Sequence, residues 1–277
     1  MAKAIMIQGT ASGVGKTILT LALCRIFNQD GYLVSPFKAQ NMTANTHITK
    51  EGHEIAVSQW LQVLAAGALP CADMNPVILK PLKGQTQVVL GGKPFDTIGT
   101  HNFKEIKDKA APEIMGAYQR LCSKYDIVVI EGAGSPVELN LNSDDIVNMG
   151  MAKRAKSPVL LVSDIDRGGV FASLYGTVSL MNETEKSYVK ATVINRFRGD
   201  IAHFAEGVKI IEDITKLPVA GVIPHTKINL PEEDALFGNN RPFKKRMGFG
   251  GQFDHIAETV RNALDMRMVY KILDKGV

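Results

Sequence analysis

Long apolar runs, a strong charge of one sign and paired cysteines are all missing from this 277-residue chain. No apolar run reaches the roughly 18 residues that a membrane-spanning helix needs, so we expect no membrane partner. The net charge of +4 is mild and does not favour a nucleic-acid partner. Cys24, Cys71 and Cys122 are widely spaced, and such sparse thiols indicate a reducing compartment. Because a strand pattern begins at the N-terminus in place of a signal peptide, the expected location is cytoplasmic.

Several catalytic patterns are also absent from the sequence. The six histidines show no metal-ligand spacing, and there is no Gly-x-Ser-x-Gly elbow. No cysteine lies in a Gly-x-Cys-x-Gly setting, which is common for an amidotransferase nucleophile. Gly13 and Gly15 lack the third glycine of a dinucleotide-binding fingerprint. These absences disfavour zinc enzymes, serine hydrolases, dehydrogenases and a glutaminase.

The chain does contain short apolar, β-branched runs that alternate with helical patterns. They cover residues 4–7, 32–36, 127–130, 159–162, 191–194 and 219–223. Continuous hydrophobicity suits strands that are covered on both faces, so the predicted fold class is α/β with a doubly wound, mostly parallel sheet. Ligands bind at the carboxyl ends of the strands in such a sheet.

Other segments are assigned by their periodicity. Helical patterns cover residues 18–27, 54–66, 106–124 and 253–273. We expect extended segments at 77–82 and 87–90, a turn at 91–94, and a loop or linker at 236–251.

The first strand runs into a glycine loop and then a helix, which is the pattern of a phosphate-binding loop. The loop ends in Gly13-Val14-Gly15-Lys16-Thr17, where backbone N–H groups and the helix N-terminus can surround phosphate. Lys16 would neutralise the β and γ phosphates, and Thr17 would ligate Mg²⁺. The spacing departs from the usual pattern, because Thr10 occupies the first-glycine position and Gly9 comes one residue early. The alternative is an ordinary strand–helix turn. The predicted nucleotide contacts are Gly9, Thr10, Ser12, Gly13, Val14, Gly15, Lys16, Thr17 and Ile18.

A second candidate site follows the strand at 127–130, which ends in Glu131. A carboxylate at this edge of the sheet could hold Mg²⁺, directly or through water, beside Thr17. Gly132, Ala133 and Gly134 would let the backbone approach the substrate. The alternative is a strand-end turn with an exposed glutamate.

A third candidate site follows the strand at 32–36. Lys38 could contact the γ-phosphate or the transition state, whereas Gln40 and Asn41 offer neutral hydrogen bonds to a polar substrate. Lys38 could instead be solvated.

Two further turns follow the later strands. Asp166, Arg167 and Gly168 could contact Mg²⁺, phosphate or a carboxylate substrate, although the two charges could simply pair with other residues. Asn195 is a candidate to read an adenine edge, with Pro224 flanking the base.

Taken together, these motifs resemble the synthetase domain of the cobyric acid synthases, glutamine-dependent amide ligases of cobalamin biosynthesis. The most specific matching blocks are Pro36-Phe-Lys-Ala-Gln-Asn-Met42 and Asp164-Ile-Asp-Arg-Gly-Gly-Val-Phe-Ala-Ser-Leu-Tyr-Gly176. The resemblance covers residues 4–234 and implies a P-loop fold of the dethiobiotin synthetase and MinD type. Ala11 stands where MinD-type loops carry an extra lysine, which favours a ligase over a partitioning ATPase.

The resemblance implies an ATP- and Mg²⁺-dependent amidation of a corrinoid carboxylate, adenosylcobyrinic acid a,c-diamide, through an acyl phosphate. Lys16, Lys38 and Glu131 would be catalytic, and Thr17 and Glu131 would hold the metal. A homodimer is implied as well. We expect a synthetase domain at 1–235, with 236–277 forming a linker and a helix that packs on it.

The sequence also departs from the family. No glutaminase domain follows, so ammonia is expected from a separate glutaminase subunit or from solution. Val57 and Ser58 replace an expected Arg-Ala pair, and Trp60 is unusual; these changes could alter the corrin contacts. Two alternatives stay open: a ligase for another small carboxylate, as in dethiobiotin synthetase, or a nucleotide-switched partner protein.

Overall fold

The computed structural model describes residues 2–82, 85–98, 103–140, 145–228, 230 and 249–277, with only the backbone described for 103–107. The strands are β1 Lys3–Gly9, β2 Val34–Phe37, β3 Gln40–Met42, β4 Thr46–Ile48, β5 Glu54–Ala56, β6 Val77–Leu82, β7 Gln85–Leu90, β8 Lys93–Ile98, β9 Ile127–Glu131, β10 Val159–Asp164, β11 Val189–Phe197 and β12 Val219–Pro224. The α-helices are α1 Lys16–Gln29, α2 Val57–Ala65, α3 Phe103–Cys122, α4 Met149–Ala155, α5 Val170–Leu180, α6 Glu183–Tyr188, α7 Ala205–Thr215, α8 Gly250–Ala263 and α9 Met266–Lys275.

A six-stranded sheet in the order β12-β11-β10-β1-β9-β2 lies at the centre of the fold, and all its pairings are parallel. Five of the six apolar runs in the sequence lie within one of these strands, and the run at 32–36 enters β2 at Val34, so the predicted fold class is confirmed. Strand β1 is central: Met6 pairs with Val159 on one side and with Ile130 on the other.

Both faces of the sheet are covered by helices, because side chains alternate across a strand. Ile5 and Ile7 pack with residues of α1, α2, α8 and α9. Ala4 and Met6 pack with residues of α3, α4, α5 and α7. The fully buried strands therefore read as continuous hydrophobic runs.

A smaller sheet, β3-β6-β7-β8, and the β4–β5 hairpin flank the main sheet. The prediction of one helix over 54–66 is wrong at its start, because Ile55 and Ala56 pair with His47 and Thr46 before α2 begins. The predicted turn at 91–94 is shorter than expected. Gly91 and Gly92, both with positive φ, make the turn, and β8 then begins at Lys93.

The predicted single helix over 253–273 is two helices. Leu264 is extended and bridges to Gly221, and the backbone N–H of Asp265 donates to the Ala220 carbonyl at 2.8 Å. The Asp265 carboxylate then accepts from the N–H of Met268 and caps α9. A contact with the edge of the main sheet therefore interrupts the helical pattern.

The predicted loop at 236–251 falls mostly outside the described residues, and its last two, Gly250 and Gly251, belong to α8. Within the part of the chain that is described, no helix combines the length and the apolar character needed to cross a membrane.

Candidate functional site

The loop between β1 and α1 has the geometry of a phosphate cradle. Gly13 and Gly15 have φ values of 73° and 102°, which favour glycine, and α1 begins at Lys16. Lys16 Nζ lies 2.9 Å from the Ala11 carbonyl and 3.0 Å from that of Gly134, so its ammonium group is held over the loop. The position suits contact with a bound phosphate chain.

The unusual glycine spacing has a steric explanation. A Cβ at Gly9 would lie 2.5 Å from Val14 Cγ2, so the loop folds back on the end of β1. Thr10 ties the same end to β10, because its N–H donates to the Val162 carbonyl at 2.9 Å and its hydroxyl lies 2.9 Å from Ser163 Oγ. Thr10 therefore anchors the loop to the sheet.

Glu131 is the centre of a buried polar cluster. Strand register brings the cluster together: Glu131 pairs with Ile7 of β1, and Phe37 pairs with Ile130, which places Lys38 beside Glu131. Glu131 Oε1 accepts from Thr17 Oγ1 at 2.7 Å and from Lys38 Nζ at 2.9 Å. The carboxylate is 1% exposed, so the expected alternative of an exposed strand-end glutamate is not what the structure contains.

The Thr17 and Glu131 oxygens fit a Mg²⁺ ion. Mg²⁺ prefers hard oxygen ligands and is usually held by one or two carboxylates together with substrate phosphates and water. A hydroxyl and a carboxylate that already lie at hydrogen-bond distance, beside the phosphate loop, supply such a donor set.

The loop after β9 is held by Asn148, which the sequence analysis did not single out. Asn148 Oδ1 accepts from the N–H of Ala133 at 3.0 Å, and its Nδ2 donates to the carbonyls of Ala133 and Ser135 at 2.6 and 3.1 Å. A Cβ at Gly132 would lie 2.3 Å from Asn148 Oδ1, which explains the glycine. Asn148 thus positions the loop whose Gly134 carbonyl contacts Lys16.

The turn that carries Lys38 is held in a similar way. Asn75 Nδ2 donates to the Lys38 carbonyl at 3.0 Å, and the side chain of Asn75 is fully buried. Asn41 is also buried and donates to Ser58 Oγ at 3.2 Å. Ser58, a departure from the resembled family, therefore contacts a predicted substrate residue. Trp60 stacks on His47 with ring centroids 4.5 Å apart.

Two aspartates at the end of β10 and just after it, Asp164 and Asp166, form ion pairs. Arg198 bonds to Asp166 and thereby lowers the pKa of that carboxyl. Asp164 pairs with Arg196 at 2.6 Å. Asn195 Nδ2 donates to the Val14 carbonyl at 2.8 Å, so this amide connects β11 to the phosphate loop. Asp166 thus pairs with another charged residue of the chain, which is the alternative that the sequence analysis left open for it.

A cavity of about 800 Å³ crosses the carboxyl ends of the strands. The predicted residues on its wall are Ser12, Gly13, Gly15, Lys16, Thr17, Ile18, Lys38, Asn41, Glu131, Ala133, Gly134, Asp166, Arg167, Asn195 and Pro224. The predicted residues that are not among those lining it are Gly9, Thr10, Val14, Gln40, Gly132 and Gly168. The predicted residues on the cavity wall thus come from six separate segments of the chain.

Sequence reasoning missed Gln62, Asn75, Asn148 and the α8 residues on the cavity wall. Gln62 Nε2 donates to Glu131 Oε2 and to the Thr17 carbonyl. The available signal for Gln62 was that Ser58, Gln59 and Gln62 share one face of a predicted helix, because polar groups that become buried need partners. For Asn148 the signal was its place in Asp145-Ile-Val-Asn-Met149, another block that matches the resembled family.

The strand–loop–helix cradle, with a buried carboxylate at the end of a neighbouring strand, defines a P-loop nucleotide-binding protein of the α/β class. More particularly, the chain matches the model of the CobQ/CobB/MinD/ParA nucleotide binding domain over residues 5–236 and belongs to that family.

Curated relatives are similar to most of this chain. It is 52% identical over 237 residues to the cobyric acid synthase of Ruminiclostridium cellulolyticum, covering 85% of this chain and 46% of that protein. It is 49% identical over 244 residues to the cobyric acid synthase of Listeria monocytogenes serovar 1/2a, covering 88% and 48%. The chain therefore spans about half the length of the curated relatives that it matches.

Solved structures are more distant. The septum site-determining protein MinD of Pyrococcus horikoshii OT3, solved with Mg-ADP, is 17% identical with a TM-score of 0.47, covering 94% of this chain and 96% of that chain. Similarity at this level does not indicate a function.

Proposed function

We propose that this chain is the ATP-dependent synthetase part of a cobyric acid synthase, which amidates carboxylates of a corrinoid in cobalamin biosynthesis. The observation that carries the proposal is the buried Thr17–Glu131–Lys38 cluster beside the phosphate loop. About 50% identity to cobyric acid synthases over most of the chain supports the choice of substrate.

The proposed chemistry has two steps. A substrate carboxylate oxygen attacks the γ-phosphorus of ATP, the bond to the β–γ bridging oxygen breaks, and ADP leaves. Ammonia then attacks the acyl carbon of the acyl phosphate, the carbon–oxygen bond breaks, and phosphate leaves with one of the ammonia protons. Because a carboxylate is a poor acyl donor, the phosphoryl group supplies the leaving group.

The residues would act by positioning and charge neutralisation. Lys16 would neutralise the β and γ phosphates, and Lys38 would contact the γ-phosphate or the transition state. Thr17 and Glu131 would hold Mg²⁺, which spreads the charge of the phosphates when bound. Gln40, Asn41, Gly132, Ala133, Gly134, Asp166, Arg167 and Gly168 remain the proposed substrate contacts.

The base end of the nucleotide would meet Asn195 and Pro224. Both residues line the cavity, which supports this placement, and the Asn195 side chain is held in position by its hydrogen bond to the Val14 carbonyl.

The rest of the proposal concerns organisation. Residues 1–235 would form the synthetase domain, and the segment 236–277 would pack on it through its helices. Ammonia would come from a separate glutaminase or from solution. Two chains would form a homodimer, which sedimentation velocity tests directly.

The decisive experiment measures ADP release by the purified chain with ATP, Mg²⁺ and adenosylcobyrinic acid a,c-diamide, comparing ammonium with glutamine. We expect corrinoid-dependent release with ammonium and none with glutamine. The matched control is Lys16→Ala, which removes the phosphate-loop cation and should abolish release.

Two other results would point elsewhere. ADP release that depends on a different small carboxylate would favour a ligase of the dethiobiotin synthetase kind. Tight nucleotide binding with slow turnover that no carboxylate stimulates would favour a nucleotide-switched partner protein and contradict the amidation proposal.

A further inference from the structure

The C-terminal helix α8 lies outside the matched family segment and yet reaches the nucleotide cavity. The family model ends at residue 236, whereas α8 begins at Gly250. Ile256, Thr259 and Val260 of this helix nevertheless line the cavity, together with residues of the phosphate loop. The nucleotide site is therefore built in part by a segment that the family pattern does not include.

The two ends of the cavity differ in chemistry. Lys16, Lys38 and Glu131 cluster near β9, where phosphate and metal would be bound. Four strand spacings away, β12 leads into the part of the wall that includes Pro224 and Ile228. Neighbouring strands lie about 4.8 Å apart, so these ends are separated by roughly 19 Å. That distance suits a nucleoside triphosphate lying across the sheet, with its phosphates near β9 and its base near β12.

Apolar side chains are concentrated towards the β12 end. Ile223, Ile228 and Leu230 lie on the wall there, and α8 adds Ile256 and Val260, both almost fully buried. Ligand pockets combine apolar walls with a few polar groups that fix orientation. These apolar side chains fit the faces of a planar aromatic base, and Arg196, His225 and Lys227 add polar groups to the same part of the wall.

Helix α8 is firmly docked against the helix that begins at the phosphate loop. Phe253, Ile256 and Val260 pack in the same hydrophobic cluster as Leu19 and Leu23 of α1. Asp254 bonds to Arg25 at 2.8 Å, and Arg261 bonds to Asp30 at 2.8 Å, which secures both ends of the contact. A helix held in this way can present a fixed wall to a ligand.

We propose that α8 forms the wall of the nucleobase and ribose subsite, with Thr259 as the position where the helix faces the bound nucleoside. Thr259 is only partly buried, and its hydroxyl donates to the His255 carbonyl at 2.9 Å. A larger side chain at this position would enter the cavity without disturbing the buried core. The inference deepens the proposed function at its ATP site and requires only nucleotide binding, not corrinoid amidation.

The test compares two ligands and two variants of the full chain by isothermal titration calorimetry. ATP requires the whole cavity, whereas inorganic tripolyphosphate requires only the phosphate end. Thr259→Phe should weaken ATP binding at least tenfold and leave tripolyphosphate binding within twofold of that of the unchanged chain. The matched control is Glu258→Phe, which adds the same bulk to the neighbouring exposed position and should change neither affinity.

Tripolyphosphate binding also reports that the variant is folded at its phosphate loop. Equal ATP affinity in Thr259→Phe and Glu258→Phe would overturn the proposed wall. Parallel weakening of both ligands in Thr259→Phe would also overturn it, because the substitution would then act on the phosphate loop. Failure of corrinoid-dependent ADP release, with these affinities as expected, would remove the substrate assignment and leave the wall intact.

Discussion

At the scale of single residues, Glu131 has the most consequential surroundings. Its carboxylate is buried with Lys38, and the two side chains are 1% and 6% exposed. Removing two charges from water has a large desolvation cost, which their mutual attraction and further hydrogen bonds offset. Removing one partner is therefore destabilising, because the other charge stays buried without compensation. Gln62 and Thr17 supply additional donors, which suggests that the cluster is arranged around the negative charge.

The pair can be tested by a double-mutant cycle. Glu131→Gln preserves shape but removes the negative charge beside the Lys38 ammonium, so we expect a loss of about 3 kcal/mol in the free energy of unfolding. Adding Lys38→Met should restore most of that stability in urea titrations, whereas ATP turnover should stay absent in both variants. Lys38→Met alone completes the cycle, and a change in the double variant equal to the sum of the two single changes would show that the charges are not coupled.

Asn148 gives a second residue-scale prediction. Asn148→Asp replaces the amide donors with an oxygen that repels the carbonyls of Ala133 and Ser135. The loop that carries the Gly134 carbonyl should shift, and a displacement near 1 Å can lower kcat by on the order of 100-fold. Initial rates of ADP release measure the effect.

The control for this substitution is Asn182→Asp. Asn182 is an exposed helix N-cap on α6, and aspartate caps equally well. The rate should therefore not change. If both variants retained full activity, Asn148 would have no positioning role.

At the scale of elements, the contact between β12 and the α8–α9 turn depends on one glycine. A Cβ at Gly221 would lie 2.2 Å from the Ala263 carbonyl oxygen. Backbone atoms cannot move away from such a clash without a large cost in free energy. The same turn covers the edge strand of the main sheet, where Asp265 bonds to Ala220. Close approach of two backbones is a common reason for a glycine within a strand.

Two glycine substitutions test this contact, because they should change the stability of the protein in opposite directions. Gly221→Ala should destabilise the protein by about 2 kcal/mol, because the turn must move. Gly176→Ala, inside α5 with open space around the position, should stabilise it by about 0.5 kcal/mol. Thermal unfolding of both variants provides the measurement, and a neutral Gly221→Ala would contradict the steric argument.

At the scale of the whole molecule, ion pairs link the C-terminal helices to the rest of the fold. The Arg25 hydrogen bond lowers the pKa of Asp254. Burial tends to raise the pKa of Asp30, but hydrogen bonds from Arg261 and Tyr270 outweigh it and the pKa is lowered. A carboxyl with a lowered folded-state pKa stabilises the fold above its unfolded-state pKa, and this contribution is lost as the pH falls through the folded-state value.

Acid titration of stability should reveal these pairs. Because Asp254 is largely exposed, its pair should contribute about 0.5 kcal/mol at neutral pH. Asp254→Asn should therefore be less stable than the unchanged chain at pH 7. The difference should begin to shrink as the pH falls below the unfolded-state pKa of about 3.9, and it should disappear only below the lowered folded-state pKa, where both chains are neutral at this position. Urea unfolding across that range is the measurement. A difference that persisted in acid would mean that packing, and not charge, is responsible.

The sequence by itself determined what is local or strongly periodic. The six core strands follow from continuous apolar runs, because a parallel sheet buries both faces of each strand. The phosphate loop and the position of Glu131 follow from short motifs within one strand and its adjoining turn. Asn195 was found in the same way, since it directly follows an apolar run near the carboxyl end of a core strand.

Only the tertiary structure decided what depends on contacts between distant segments. Leu264 continues the helical pattern of 253–273, but pairing with the edge of β12 interrupts it. Residues 54–56 fit the following helix, yet pair with β4. Gln62, Asn148 and Thr259 reach the site from α2, the turn before α4, and α8. No local pattern reports such partners, because the free energy of these contacts is gained only when the chain has brought the segments together.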